Sequence, residues 1–161
     1  MNEHKMHNNI ENVTHHAKKS ANKLEDYLHD LFEKAPHLPK ELKDLLIIIT
    51  PWLALVFGAL GILASLGGGT ISALLAIPTL GLSLPFLVSF LFAFASSVLA
   101  VMAFTGLRDN KKSGWDKLFL SQIVSILGTI VIIFFGGFSV GTILGALISF
   151  YLMFEIRSHY K

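Results

Sequence analysis

Six histidines precede residue 38: His4, His7, His15, His16, His29 and His37. Neutral imidazole is a common metal ligand and titrates close to physiological pH. The close pairs His4/His7 and His15/His16 could therefore contribute to a divalent cation site. The chain has no cysteine, which removes thiolate metal sites, disulfides and cysteine nucleophiles. No acid completes a recognisable ligand set, so solvated histidines are expected, with no metal and no cofactor. Asp26, Asp30 and Glu33 could in principle do acid–base work. They share the polar side of a helical pattern, where a solvated role is the simpler reading. The sequence contains no nucleophile elbow, phosphate-cradling glycine loop or metalloprotease signature. The expectation is a protein that is not an enzyme.

The composition moves the question from catalysis to the bilayer. Hydrophobic residues make up 53% of the 161 positions and charged residues only 15%. No charge lies between Asp44 and Arg108, or between Lys117 and Glu155. About 20 uncharged apolar residues suffice to cross a membrane, and the first stretch is several times that long. Residues 1–44 are polar and carry no cleavable signal pattern, so the first span is expected to act as its own insertion signal. The net charge of +2 is small, and basic residues are not interleaved with aromatics, so no nucleic-acid partner is expected.

Residues 1–9 read as a disordered polar tail. Ile10, Val13, Ala17, Ser20, Leu24, Tyr27 and Leu31 then recur at spacings of three and four. That pattern predicts a cytosolic amphipathic helix over about 10–35, ended by Pro36 and Pro39. Its interaction face centres on Ile10, Val13, Leu24, Tyr27 and Leu31. Ala17, Ser20 and Ala21 weaken the middle of the stripe, and the polar face is nearly charge-balanced. Pairing with a second copy or a membrane-protein partner is favoured over a strong lipid anchor.

Residues 36–161 read as an all-α, four-transmembrane-helix bundle, with spans near 45–66, 86–107, 118–135 and 140–156. Pro51 is expected to bend the first span, and Gly67–Gly69 to end it. Pro78 and Pro85 bracket the turn-like TLGLSL, and residues 70–84 are expected to form a short helix plus loop, interfacial or re-entrant. An alternative starts the first span near Pro51 and runs it through the glycines to Ile77. GGGTISALLAI (67–77) also echoes VGTILGALISF (140–150) weakly, as a duplicated hairpin could, but chance similarity of membrane helices is the simpler explanation.

Lys and Arg favour the cytoplasmic side of a membrane. They cluster before the first span, at Arg108, Lys111, Lys112 and Lys117 between the second and third, and after the fourth. Four spans with both termini cytoplasmic satisfy this pattern, in a plasma (inner) membrane. Trp115 beside Lys117 suits an interfacial aromatic belt.

In lipid, apolar helices associate through close approach at small residues. Each span carries such a seam: Gly58 and Gly61; Ala93, Ser96 and Ala100; Ser125 and Gly128; Gly141 and Gly145. Transport and proton-relay proteins place ionisable groups inside their spans, and none is found there. Gln122 is the most polar intramembrane side chain, expected to bond a neighbouring helix or reach the interface, with a pore contact as the functional alternative. The functional expectation is a structural, scaffold or accessory subunit acting through helix packing, with the bilayer as its first partner. The alternative is a passive permeation or transporter component with a re-entrant segment at 70–84.

Overall fold

The computed structural model describes residues 15–16, 19–20, 22–28, 30, 38–79, 81–135 and 140–160. The chain divides into two compact units, residues 1–37 and 38–161. In the first, residues 22–28 are helical. Leu24 and Tyr27 of the expected stripe are exposed there, whereas Glu25, from the polar side, is buried. Ile10, Val13 and Leu31 lie outside the described residues.

The second unit is built of α-helices: α1 (Lys40–Leu75), α2 (Leu84–Arg108), α3 (Lys112–Phe134) and α4 (Val140–Glu155), followed by a 3₁₀ turn at Arg157–His159. Four helical stretches are long and apolar enough to cross a membrane, the last of them running Val140–His159. The exposed surface is dominated by large apolar side chains such as Phe57, Leu63, Leu74 and Leu91. That distribution suits hydrocarbon as solvent and would be prohibitive in water.

The glycines at 67–69 do not end the first span. α1 continues unbroken through them to Leu75. A glycine weakens a helix in water by conformational entropy, but in hydrocarbon an unpaired backbone N–H or C=O costs several kcal/mol. Continuing the hydrogen-bond ladder therefore wins. Packing adds a reason for Gly68, since a Cβ there would collide with the Phe90 ring of α2. Residues 70–75 are thus the end of α1 and not a separate re-entrant piece. The connection is a short turn in which Gly81 adopts φ +84°, and Ser83 Oγ donates to the Ser72 carbonyl at 2.8 Å, folding the turn back on α1. The echo between 67–77 and 140–150 is not structural, because the first closes a helix and the second opens one.

Pro51 is accommodated, buried, within α1. At 36 residues α1 is about 54 Å long by the helical rise, well beyond the ~30 Å hydrocarbon layer. Tilt or protrusion must absorb the excess. α4, at 16 residues, is by contrast about 24 Å long by the same rise.

α2 is the central element, packed along its length against α1 on one side and α3 on the other. α4 is held mainly by its C-terminal half, where Phe150, Met153 and Phe154 are buried, with Ile156 just after it, whereas Val140, Leu144, Leu147 and Ile148 nearer its start are exposed.

Candidate functional site: an intramembrane cavity and an open helix face

The two central contacts are made where the sequence carries small residues. A Cβ on Gly58 would lie 2.8 Å from Val101 Cγ2 and 3.0 Å from the Ser97 carbonyl oxygen, and one on Gly61 would overlap Ser97 Oγ. On the other flank of α2, a Cβ on Gly128 would lie 2.8 Å from Phe92 Cβ. Ser121 Oγ donates to the Ser96 carbonyl at 2.8 Å, a buried bond between α3 and α2. Gly58, Gly61, Ser96 and Gly128 therefore sit in helix–helix contact. Ala93 and Ala100 are half-buried on α2, and Ser125 is exposed. The fourth seam differs: Gly141 is exposed, and no atom lies within 4 Å of a Cβ built on Gly145.

The tightest approach was not legible as a seam. A Cβ on Gly106 would lie 2.6 Å from Gly114 Cα, and one on Gly114 would collide with the backbone of Gly106 and Leu107. These two glycines, flanking the basic loop, let α2 and α3 meet backbone to backbone at their turn. The pair could have been found from its position, one glycine on each side of RDNKKS.

At the same end of the unit, the charged groups converge. Lys43 Nζ lies 2.6 Å from Glu155 Oε1, which also accepts from the Leu38 backbone N–H at 2.9 Å. His159 Nε2 and Asn110 Oδ1 are 3.0 Å apart. The start of α1, the α2–α3 turn with Arg108, Lys111 and Lys112, and the end of α4 therefore share one end. Lys117 follows one turn into α3. Trp115 is not a lipid-facing belt residue, as its isolated position beside Lys117 suggested. It is 1% exposed, its indole N–H donates to the Met153 carbonyl at 3.1 Å, and it stacks on Phe119 at 5.3 Å with Phe154 edge-on. The Arg157 guanidinium covers its ring at 5.6 Å. Burial follows because α4 brings its own aromatic residues to this end, which the α3 sequence does not announce. Trp52, 56% exposed, is the tryptophan at the surface.

Among the described residues no three His, Asp or Glu side chains approach closely enough to hold a metal ion. One concavity in the unit has a lining without charge. A cavity of about 360 Å³ lies between all four helices. α1 contributes residues from Leu46 to Gly58, and α4 contributes Ser149, Leu152 and Met153, with Ile156 just after it. α2 contributes Ser96, Ser97 and Ala100, and α3 contributes Leu118, Ser121, Gln122 and Ser125. Gln122 does bond a neighbouring helix, its Nε2 donating to Ser149 Oγ at 2.7 Å. That bond ties α3 to α4 across the cavity wall. The lining ends at Gly58 on α1 and Ser125 on α3. Beyond these positions Gly61 meets Ser97 and Gly128 meets Phe92, so α2 closes on α1 and on α3 past the lining.

No protein-family model matches the chain, and neither a curated protein nor a solved structure matches it.

Proposed function

We propose that this protein is a structural or accessory membrane subunit that acts through helix packing, with α4 as its docking helix. The carrying observation is the open space in front of Gly145. The chain spends Gly58, Gly61 and Gly128 on internal contacts, yet leaves Gly145 of α4 without one, and Gly141 one turn before it is exposed. A GxxxG pair lets two helix backbones approach closely in lipid. The exposed first half of α4, including Val140 and Leu144, supplies apolar flanks for a second copy or another membrane protein. The N-terminal stripe at Leu24 and Tyr27 is a second docking element on the cytoplasmic side, with both termini cytoplasmic and the spans in a plasma (inner) membrane.

The test is energy transfer between donor- and acceptor-labelled full-length copies in vesicles, paired with detergent co-purification from the native membrane. Gly145→Leu should abolish self-association or partner recovery while leaving thermal stability near wild type. Gly128→Leu should instead destabilise the protein itself. If Gly145→Leu retains both self-association and partner recovery at wild-type levels, the docking role of α4 is wrong.

A passive permeation role is the second reading, and the cavity is what favours it. Its lining stops at Gly58 on α1 and Ser125 on α3, which argues for holding a molecule over conducting one.

A further inference from the structure

The cavity between the helices has a chemical character that the packing role does not use. No Asp, Glu, Lys, Arg or His lines it. Its hydroxyls and amide are nevertheless incompletely bonded. Gln122 spends one amide hydrogen on Ser149, but its side-chain oxygen has no partner among the described residues, and neither do the hydroxyls of Thr50 and Ser125. Elsewhere the structure shows the usual remedy for a hydroxyl in a membrane helix, which is to bond a carbonyl on its own helix. Thr70 does so to Leu66, Thr129 to Ser125 and Ser65 to Ile62. Polar groups left open at membrane depth are tolerated only where something polar meets them.

The cavity rim shows where that partner enters. Leu53 and Phe57 on α1 are 43% and 66% exposed, and Ser125 on α3 is exposed. Phe57 lies about 20 Å along α1 from Lys43 by the helical rise. The mouth therefore faces the hydrocarbon layer, and a ligand reaches it by lateral diffusion from the bilayer. The volume is at the small end for ligand sites, enough for a compact head and the first methylenes of a chain. A charged head would be buried against a wall offering no counter-charge, which is costly. A hydroxylated neutral head matches the wall, donating to the Gln122 oxygen and accepting from the Thr50 and Ser125 hydroxyls.

We infer that this cavity binds an uncharged, hydroxyl-bearing single-chain amphiphile drawn from the surrounding membrane. The head lodges beside Gln122, and the chain leaves between Leu53 and Phe57.

The experiment uses the purified full-length chain in phosphatidylcholine vesicles with a diazirine-bearing monoacylglycerol. Photolabelling should saturate, concentrate on residues 50–58, 118–125 and 149–156, and be competed by unlabelled monoacylglycerol but not by added phosphatidylcholine. Ala100→Phe fills the space and should remove the saturable labelling, whereas Leu120→Phe on the exposed side of α3 should not. Gln122→Leu should weaken competition by about fivefold, the loss of one neutral hydrogen bond. Ser125→Phe blocks the rim without entering the core, so it keeps the test decisive if Ala100→Phe does not fold. Non-saturable labelling spread evenly over the exposed helix faces would overturn the proposal, as would labelling that survives both blocking variants. A fatty acid that competes better than the neutral probe would overturn the assigned ligand class.

Discussion

Among the described residues Tyr160 places a hydroxyl in the interior without a hydrogen-bond partner, with the residue 5% exposed and its ring edge-on to His159. Burial disfavours the phenolate and pushes the group up to about 12 from its ordinary value of 10. The unfolded chain therefore releases this proton first. The stability contributed by a neutral Tyr160 is complete below pH 10 and is lost as pH rises from there toward 12. Tyr160→Phe should remove this alkaline loss and raise stability at neutral pH by about 1 kcal/mol, since an unpaired buried polar atom is replaced by nothing. Thermal melts of both proteins across that alkaline range check it. Lys43 and Glu155 make the opposite case. Glu155 is buried but ion-paired and hydrogen-bonded. Glu155→Ala should cost about 3 kcal/mol, by breaking a largely buried pair and releasing the start of α1. Glu155→Gln, which keeps an acceptor for the Leu38 N–H, should cost less. Chemical denaturation in mild detergent separates the two.

Among the helices, glycines of identical type carry opposite predictions. Gly67 has nothing within 4 Å of a built Cβ, so Gly67→Ala should stabilise α1 by up to about 1 kcal/mol through backbone entropy alone. Gly114→Ala would drive a methyl group into the backbone of Gly106 and Leu107. It should prevent α2 and α3 from closing and abolish the folded state. Thermal stability in detergent should rank Gly67→Ala above wild type and Gly114→Ala far below. A similar stability for the two variants would remove the close-approach argument. The seams at Gly58, Gly61 and Gly128 were legible because small residues recur on one face of each span. The Gly106–Gly114 pair was not, because it joins two helix ends instead of lying along one face. The end of α1 follows the alternative that runs through Gly67–Gly69 and not the stop that these glycines suggest, for a related reason. Glycine runs signal a stop in water, whereas in lipid the cost of unpaired backbone keeps the helix going.

For the whole molecule, Lys43 with Glu155 and Asn110 with His159 draw both α1 and α4 ends to the α2–α3 turn. The basic residues 40–43, 108–117 and 157 therefore lie at one end. With the Lys/Arg excess facing the cytoplasm, cysteines introduced at Ser113 and Ser158 of this cysteine-free chain should resist a membrane-impermeant thiol reagent in intact cells. Both should react after permeabilisation. Labelling of the Ser113 position alone in intact cells would reject the shared side.

Length, charge-free stretches and spacing by themselves determined that the chain is helical and carries four spans, because hydrocarbon tolerates neither charge nor unpaired backbone. They also determined which small residues could let helices meet. Only the tertiary structure decided which seams are used, since Gly58 and Gly145 look alike in sequence and differ only in whether Val101 or open space stands opposite. It likewise decided that Trp115 is buried, that Glu155 is paired, and that Gln122 stands in a cavity wall. Each depends on residues 25 or more positions away, and no local pattern carries that distance.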